Sequence, residues 1–151
     1  MTRQARDAVY HDPMAHQTIL ELPTPGRGTR NITEAVAKAV RASGVQCGLV
    51  HVFVQHTSCS LTITENADPD VRGDLDTIMS RLAPDGDRAY RHDLEGPDDM
   101  SAHARSVLTD TGLTVPVGGG RLLLGTWQGI YLWEHRTGPQ HRSVVVTVMG
   151  D

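Results

Sequence analysis

The histidines of this chain are the first candidates for chemistry. The sequence has 151 residues and eight histidines, and imidazole both changes charge near neutral pH and binds metals. His92 and His103 lie in an acidic segment, and Asp99 precedes His103 by four residues, which places both on one face of a helix. Three such ligands leave a fourth position open for water or substrate, as in catalytic zinc sites. The segment predicts a metal site, with a solvated acidic loop as the alternative.

A second polar segment, His56-Thr57-Ser58-Cys59, separates two apolar runs that have the composition of strands. An imidazole, two hydroxyls and a thiol at a strand corner are suited to binding a metal or an anion, and a tight polar turn is the alternative. Glu65 precedes a helix signal and is either a base or magnesium ligand, or an ordinary loop residue. The mixed-charge segment 134–136 is interpreted as a phosphate contact or as a pair across a subunit boundary.

The Trp corner, residues 125–130, reads Gly-Thr-Trp-Gln-Gly-Ile and lies between two further apolar runs. Glycine in such a place marks a bend or a close approach of other groups. Buried tryptophan and glutamine side chains must also find hydrogen-bond partners. The Trp corner therefore predicts the lining of a site, and a β-bulge with one core tryptophan is the alternative.

Composition excludes several classes of protein. With 38% hydrophobic, 21% charged and 4% aromatic residues, the chain is expected to form one domain with a hydrophobic core. A net charge of −4 argues against non-specific nucleic-acid binding. No apolar run is long enough to cross a membrane, and residues 1–15 lack the apolar centre of a secretory signal. Two cysteines without a CxxC motif predict a reducing, cytoplasmic location.

The elements that must position these residues follow from hydrophobic periodicity. Residues 1–15 are predicted as a polar tail and residues 16–151 as a single domain. Strands are predicted over residues 18–22, 45–55, 60–64, 113–117, 121–124, 130–134 and 143–149. Because these strands do not alternate regularly with helices, the predicted fold class is α+β, an antiparallel β-sandwich core with about three flanking helices.

Three helices are predicted, each with a buried apolar face. The first follows Asn31 or Thr33 and ends at Gly44, the second begins at Asp68-Pro69, and the third covers residues 100–109. The predicted inward positions of the first helix are Ile32, Ala35, Val36, Ala39 and Val40. Those of the second are Val71, Leu75, Ile78, Met79 and Leu82, and those of the third are Ala104, Val107 and Leu108.

Taken in order, these segments resemble the YjbQ-like proteins, also called the secondary thiamine-phosphate synthase family. The similarity runs from about Gln17 to Gly150. The residues that carry it are Gln55-His56-Thr57-Ser58, Glu65-Asn66 with Asp68-Pro69, His92-Asp93, Asp98-Asp99-Met100, His103, the stretch from Leu124 to Ile130, and Glu134-His135-Arg136.

The resemblance implies a homotrimer of compact β-sandwiches and one pocket formed by the segment 56–59, the helix histidine and the Trp corner. It implies His56, His92 and His103 as metal or anion ligands, and with Asp99 from the helix spacing these are the expected ligands of a divalent metal, zinc or magnesium. Glu65, His56 and His103 are the catalytic candidates. The substrate-binding candidates are Thr57, Ser58, Thr126, Trp127, Gln128, Glu134 and Arg142. Arg142 is included because Gln140 stands where the family often has an arginine.

The activity implied by the resemblance is a weak, metal-assisted synthesis of thiamine phosphate. A pyrimidine diphosphate and a thiazole phosphate would combine with release of pyrophosphate, a displacement that needs charge stabilisation more than a strong base. The expected partner is thus a phosphorylated small molecule. Two alternatives remain open at this point: a non-enzymatic homotrimer that binds a small molecule or metal, and a purely structural domain.

Overall fold

The computed structural model describes residues 14–151, and the larger part of the predicted polar tail, residues 1–13, lies outside this range. The strands are β1 (Met14–Thr24), β2 (Gly28–Asn31), β3 (Cys47–Val54), β4 (Cys59–Glu65), β5 (Gly112–Gly118), β6 (Arg121–Leu122), β7 (Gln128–Glu134) and β8 (Gln140–Gly150). The helices are α1 (Thr33–Ser43), α2 (Pro69–Leu82) and α3 (Asp99–Val107). No helix among residues 14–151 is long and apolar enough to span a membrane.

Two antiparallel sheets form the sandwich that the sequence predicts. The larger sheet has the order β1-β8-β3-β5-β6 and the smaller sheet has the order β2-β7-β4. Alternate side chains of each strand point inward, so the valines at 50, 52 and 54 of β3 and at 144, 146 and 148 of β8 are buried. Leu61 of β4 and Leu132 of β7 belong to the same core. The α+β fold class and the sandwich are confirmed.

Helix α1 forms as its sequence predicts. Ile32, between the two predicted candidates, is the N-cap residue, and the Asn31 side chain accepts a hydrogen bond from the Thr33 amide at 3.0 Å, which satisfies one free amide of the first turn. Val36 and Val40 are fully buried, so the predicted apolar face contacts the core. Gly44 ends the helix with φ of 76°, a left-handed conformation that favours glycine.

Helix α2 packs with a face that includes only part of the predicted one. Met79 is buried and Val71 and Leu75 are partly buried, as predicted, whereas Ile78 and Leu82 are 49% and 64% exposed. The packed face also carries Arg72, which lies over the Tyr131 ring, and Asp76, which accepts a hydrogen bond from Trp133 Nε1 at 2.7 Å. The packed face therefore keeps part of the predicted stripe and extends to Arg72 and Asp76. Polar partners on β7 determine this orientation, and hydrophobic periodicity does not report them.

In α3 the predicted face is wrong. Its predicted inward residues Val107 and Leu108 are 85% and 59% exposed, and Ala104 is only partly buried. The buried side chains are instead Asp99, Ser101, Ala102, Arg105 and Ser106. Arg105 and Ser106 donate to the carbonyl oxygens of Ala83 and Cys59. Because backbone carbonyl groups at this end of the sandwich accept these hydrogen bonds, α3 buries its polar face and exposes its apolar one.

The two polar corners of the sequence are connections between the sheets. β3 and β4 are consecutive strands but lie in different sheets, and the same is true of β6 and β7. Residues 55–58 and residues 123–127 therefore pass from one layer of the sandwich to the other. Cross-strand pairing also makes β1 and β8 longer than predicted, with Met14 opposite Gly150 and Thr24 opposite Gln140.

Candidate metal centre

Four side chains converge at the N-terminal end of α3. His92, Glu95, Asp99 and His103 each present one ligand atom, and these atoms all lie within 4.8 Å of one another. His92 Nε2 is 2.6 Å from Asp99 Oδ2, and His103 Nε2 is 3.1 Å from the same oxygen. Helical spacing brings Asp99 and His103 together, whereas the loop before α3 brings in His92 and Glu95. The cluster contains three of the four predicted metal ligands and adds Glu95.

The orientation of His103 is set by a backbone carbonyl group. Its Nδ1–H donates to Thr57 O at 2.9 Å, so the neutral ring carries its lone pair on Nε2. That lone pair faces the Asp99 carboxylate oxygen, an arrangement that is repulsive unless a proton or a metal ion lies between them. A carbonyl group that fixes the tautomer of a ligating histidine is the usual outer partner in metal sites. The donor set and its orientation therefore fit a divalent metal.

Arg136 supports the cluster from behind. Its guanidinium donates to Asp99 Oδ1 at 2.7 Å, to Asp98 Oδ2 at 3.1 Å and to the Glu95 carbonyl oxygen at 3.0 Å. Asp99 is thereby held with Oδ2 facing the two histidines. Burial would raise the pKa of Asp99, but the hydrogen bonds from His92 and Glu95, followed by the charge of Arg136, outweigh it, so the pKa is lowered. The carboxylate stays ionised, as a metal ligand must.

The pKa values of His92 and Asp98 are also shifted by their neighbours in the cluster. The hydrogen bond to Asp99 raises the pKa of His92. Burial would raise the pKa of Asp98, but hydrogen bonds from Thr137 and Arg136 outweigh it and lower the pKa to about 2. Asp98 accepts from both the amide and the hydroxyl of Thr137. These bonds fix the start of α3 to the chain that follows β7.

A buried ion pair lies at the same end of the sandwich. Arg142 donates to both carboxylate oxygens of Glu134 and to Ser58 Oγ, and Thr24 donates to Glu134 at 2.7 Å. Arg142 is 4% and Glu134 1% exposed. Burial opposes ionisation of Glu134, but the hydrogen bonds from Arg142 and the Arg136 amide outweigh it and lower the pKa. Three substrate-binding candidates, Ser58, Glu134 and Arg142, are thus bonded to one another inside the fold.

His56 does not join the metal cluster, although the resemblance implies it as a ligand. Its Nε2 accepts a hydrogen bond from the Ser143 amide at 2.8 Å, which occupies the lone pair that a metal would need. Burial, and secondarily the charge of Arg142, lowers the pKa of His56. His56 instead lines a cavity of about 450 Å³, the His103 cavity, together with Thr57, His103, Ser106, Val107 and Thr109.

The Trp corner lies at the opposite end of the β4–β7 pair. Cys59 is opposite Glu134 at one end and Glu65 is opposite Gln128 at the other, and six residue steps of about 3.3 Å separate the ends by about 20 Å. The single pocket implied by the resemblance is therefore not formed within one chain. Extended strands hold the two corners apart, and sequence order does not show this.

Local bonds hold the Trp corner, and its indole remains in solvent. The Gln128 side chain accepts from the Gly125 amide at 2.9 Å, and the Asn66 amide donates to the Trp127 carbonyl oxygen at 3.0 Å. Trp127 itself is 63% exposed, so it is neither a core residue nor a contact of the histidines in its own chain. Gly129 allows close approach, because an added Cβ would lie 3.2 Å from Asn66 Cβ.

The other candidates at this end are also placed by local contacts. Thr126 is exposed, and its carbonyl oxygen accepts from Asn66 Nδ2 at 3.3 Å. The Glu65 carboxylate accepts from the Asp68 amide at 3.0 Å, and the Asp68 side chain accepts from the Asp70 amide at 2.9 Å. Glu65 therefore helps to begin α2, about 20 Å from the end at which β4 approaches the histidines.

Two residues of the site were missed in the sequence, Glu95 and Arg136. Glu95 stands in the acidic segment between His92 and Asp99, so a search for carboxylates near paired histidines would have included it. Arg136 is 37 residues from Asp99 along the chain, and no local pattern connects the two. Only the junction between β7 and the start of α3 brings them into contact.

The fold and the site together define a class: a two-sheet sandwich with a histidine–carboxylate cluster at one end. The family model described as UPF0047 protein YjbQ-like matches residues 18–151. The UPF0047 protein sll1880 of Synechocystis sp. is 52% identical over 136 residues, covering 90% of this chain and 92% of its own. The YjbQ protein of Salmonella typhimurium is 42% identical, covering 91% and 100%. The chain belongs to the UPF0047, YjbQ-like family.

Solved structures show the same fold. The conserved hypothetical protein TT1486 of Thermus thermophilus is 43% identical and superposes with a TM-score of 0.77, covering 85% of this chain and 97% of that one. The hypothetical protein APE1520 of Aeropyrum pernix is 28% identical with a TM-score of 0.82, covering 90% and 99%. These similarities extend over nearly the whole sandwich.

Proposed function

We propose that this protein is a metal-assisted enzyme that acts on a phosphorylated small molecule at the His92–Glu95–Asp99–His103 cluster. The observation that carries the proposal is the orientation of His103, whose Nδ1–H is committed to Thr57 O while its Nε2 faces Asp99. With a neutral ring, a metal ion between Nε2 and the carboxylate oxygen removes the repulsion between their lone pairs, as a proton on Nε2 would in the charged ring. Two of the other ligand candidates, His92 and Glu95, are exposed, so a ligand has access from solvent.

Zinc is the metal that this donor set favours. Two imidazole nitrogens with one or two carboxylate oxygens are characteristic of catalytic zinc sites, whereas magnesium prefers oxygen ligands and retains several waters. A bound divalent ion would supply positive charge that stabilises the developing charge of a leaving phosphate oxygen. Magnesium was the other expectation from the sequence, and the two imidazoles make it the weaker candidate.

The residues of the chain have separate tasks in this proposal. His92 and His103 present their Nε2 atoms, and Arg136 keeps the Asp99 carboxylate ionised and oriented. Glu65, the carboxylate that the sequence indicated as a candidate base, is not at the cluster, because it accepts from the Asp68 amide at the far end of β4. The arrangement suits a reaction driven by charge stabilisation rather than by proton abstraction.

Thiamine-phosphate synthesis is the first reaction to test. The bond between the pyrimidine-bearing carbon and the pyrophosphate oxygen breaks as the bond to the thiazole forms, and pyrophosphate leaves with the electron pair. No proton has to be removed by a strong base in this displacement, which agrees with the groups at the cluster. The support for this particular reaction is the resemblance and the proposed charge stabilisation, so we propose it as a weak activity.

A homotrimer is proposed as the assembly. The outer face of the larger sheet carries exposed apolar side chains in register, with Leu49 opposite Met149 and with Phe53 and Ile19 both opposite Val145. Exposed apolar surface of this kind is typical of contacts between subunits. Light scattering at micromolar concentration tests this proposal: a trimer is expected, and a monomer would contradict it.

Zinc titration of metal-free protein tests the site itself. We expect about one equivalent to bind with the parent chain, as a single cluster of donors implies, and binding to be lost in His103→Ala. His51→Ala is the matched control, because His51 is exposed on the outer sheet face and bonds only Thr114 in the described structure. A His103→Ala variant that binds zinc as well as the His51→Ala variant would refute the ligand assignment.

Pyrophosphate release tests the reaction. Zinc-loaded protein, a pyrimidine diphosphate and a thiazole phosphate are expected to yield thiamine phosphate and pyrophosphate together, and His103→Ala is expected to abolish both. Zinc binding without any turnover would favour the alternative of a non-enzymatic metal-binding protein. Equal turnover by the parent and His103→Ala would show that the reaction takes place elsewhere.

A further inference from the structure

We propose that the His103 cavity binds the uncharged, apolar part of a ligand whose anionic part lies at the metal cluster. The inference rests on the proposed function, because it divides one ligand between the cluster and the neighbouring cavity. The cavity volume of about 450 Å³ is within the usual range for small-molecule sites. His56 then determines specificity instead of binding the metal.

The position of His103 connects the two parts of the site. Its Nε2 belongs to the cluster, while its Nδ1–H donates to the carbonyl oxygen of Thr57. His103 and Thr57 both line the cavity. The imidazole ring therefore separates the cluster from the cavity by the width of one side chain, and one ligand can reach both.

The walls of the cavity do not suit a charged group. No aspartate, glutamate, lysine or arginine is among the described residues that line it. Ser106 Oγ donates to Cys59 O at 3.2 Å and Thr109 Oγ1 donates to Arg105 O at 2.7 Å, so these hydroxyl hydrogens are turned toward the backbone. A phosphate in the cavity would lose water without gaining enough donors, which is costly.

A second cavity on the other side of the cluster has a different character. It has a volume of about 490 Å³ and is lined by His92 together with Asp87, Arg88 and Asp93. Charged side chains on the His92 side and uncharged ones on the His103 side make the site asymmetric. The apolar part of a ligand is therefore assigned to the His103 side.

His56 offers one fixed hydrogen-bond donor. The Ser143 amide donates to Nε2, so the proton of the neutral ring is on Nδ1. Burial and the nearby charge of Arg142 lower the pKa of His56 and keep the ring neutral. A ligand group with an acceptor atom gains a hydrogen bond from Nδ1–H, and a site built to bond a polar atom discriminates against analogues that lack it.

Calorimetry with three phosphonates on zinc-loaded protein measures the contributions of the anion, the apolar ring and the acceptor atom to binding. Methylphosphonate provides the anion alone, benzylphosphonate adds an apolar ring, and 4-pyridylmethylphosphonate adds an acceptor atom to that ring. We expect benzylphosphonate to bind about tenfold more tightly than methylphosphonate, from burial of part of the ring. The pyridyl compound is expected to bind more tightly still. Equal affinities for all three would overturn the proposal.

Val107 and Leu108 form a matched pair of variants. Both are exposed at the C-terminal end of α3, but Val107 lines the cavity and Leu108 does not. Val107→Asp is expected to remove most of the tenfold preference for benzylphosphonate, whereas Leu108→Asp retains it. Both changes are at the surface, so neither should prevent folding. Equal loss of the preference in the two variants would contradict the assignment.

An uncharged probe separates this inference from the proposed function. 4-Methylpyridine added to metal-free protein is expected to shift the amide signals of Val107 and Thr109 in NMR spectra. If zinc does not bind but these shifts occur, the proposed function fails and the cavity assignment stands. If the probe binds only after Trp127→Ala, the indole of a second copy fills the cavity, and the ligand assignment is overturned.

Discussion

The two ends of the β4–β7 strand pair carry the polar segments of this chain, yet they are built differently. At the cluster end, Glu134 and Arg142 are buried and bonded to each other, and Arg136 reaches Asp99 on α3. At the corner end, the Gln128 side chain accepts a hydrogen bond from the Gly125 amide in the loop before β7, and Trp127 is exposed to solvent.

The difference concerns where the hydrogen-bond partners come from. The cluster end takes partners from distant parts of the chain, such as Arg136 with Asp98, so its geometry depends on the whole fold. The corner end takes partners from residues close in the same loop and from Asn66 at the end of the paired strand. Changes at the cluster end should therefore have larger effects than changes at the corner end.

The largest expected effect is loss of the buried ion pair. Glu134→Ala leaves the Arg142 charge buried without its partner, which typically costs about 3–5 kcal/mol in the free energy of unfolding. Glu65→Ala at the corner end removes only a bond to the Asp68 amide, for about 1 kcal/mol. Urea denaturation of both variants measures the contrast, and equal losses would show that the two ends are energetically alike.

The next effect is the pH dependence that comes from His135. This residue is fully buried, and burial, followed by the charge of Arg105, lowers its pKa to about 3, against about 6.5 when unfolded. Between these values the unfolded chain binds more protons than the folded chain. Stability from this group is therefore complete above about pH 6.5 and decreases as the pH falls toward about 3.

Unfolding measurements between pH 7 and pH 4 test the His135 prediction. His135→Gln is expected to be less stable at pH 7 but to have a flatter pH dependence, because its side chain does not titrate. The imidazole NMR signals of His135 in the parent chain should not titrate above pH 4. An imidazole that titrates near pH 6.5 in the folded protein would contradict a neutral buried ring.

A smaller effect is expected on metal affinity when Arg136 is removed. Arg136 bonds Asp99 Oδ1, and loss of an outer partner of a metal ligand typically lowers affinity about 10- to 100-fold. Zinc titration of Arg136→Ala measures this, with Arg121→Ala, an exposed arginine of β6, as the control. Partial recovery in Arg136→Lys would support orientation by a charge, and unchanged affinity in Arg136→Ala would exclude that role.

The smallest effects are expected at the corner end. Asn66→Ala removes hydrogen bonds to the carbonyl oxygens of Thr126 and Gln128, at a cost of about 1 kcal/mol in unfolding free energy. Trp127→Ala should change the stability of a single chain by less than about 0.5 kcal/mol, because the indole is exposed. A large loss for Trp127→Ala would indicate that the indole is buried between copies of the chain.

Local patterns predicted much of this molecule. Each predicted strand, the α1 face with Val36 and Val40, and the start of α2 at Asp68 are present where the sequence placed them, whereas β2 (Gly28–Asn31) was not predicted. Asp99 and His103 were correctly expected to meet, since they are four residues apart on one helix. The predicted face of α2 was right only in part and that of α3 was wrong, because polar contacts such as Asp76 with Trp133 override hydrophobic periodicity.

By itself, the sequence determined what depends on neighbours along the chain: strand alternation, helix boundaries, and the presence of histidines and carboxylates in one segment. Only the tertiary structure decided which polar residues share a site. In the fold, His56 accepts a hydrogen bond from the Ser143 amide and Arg136 donates to Asp99. The Trp corner lies about 20 Å from the cluster end of the β4–β7 pair. The physical reason is that hydrogen bonds and ion pairs act over a few ångströms in space, and separation along the chain does not reveal that proximity.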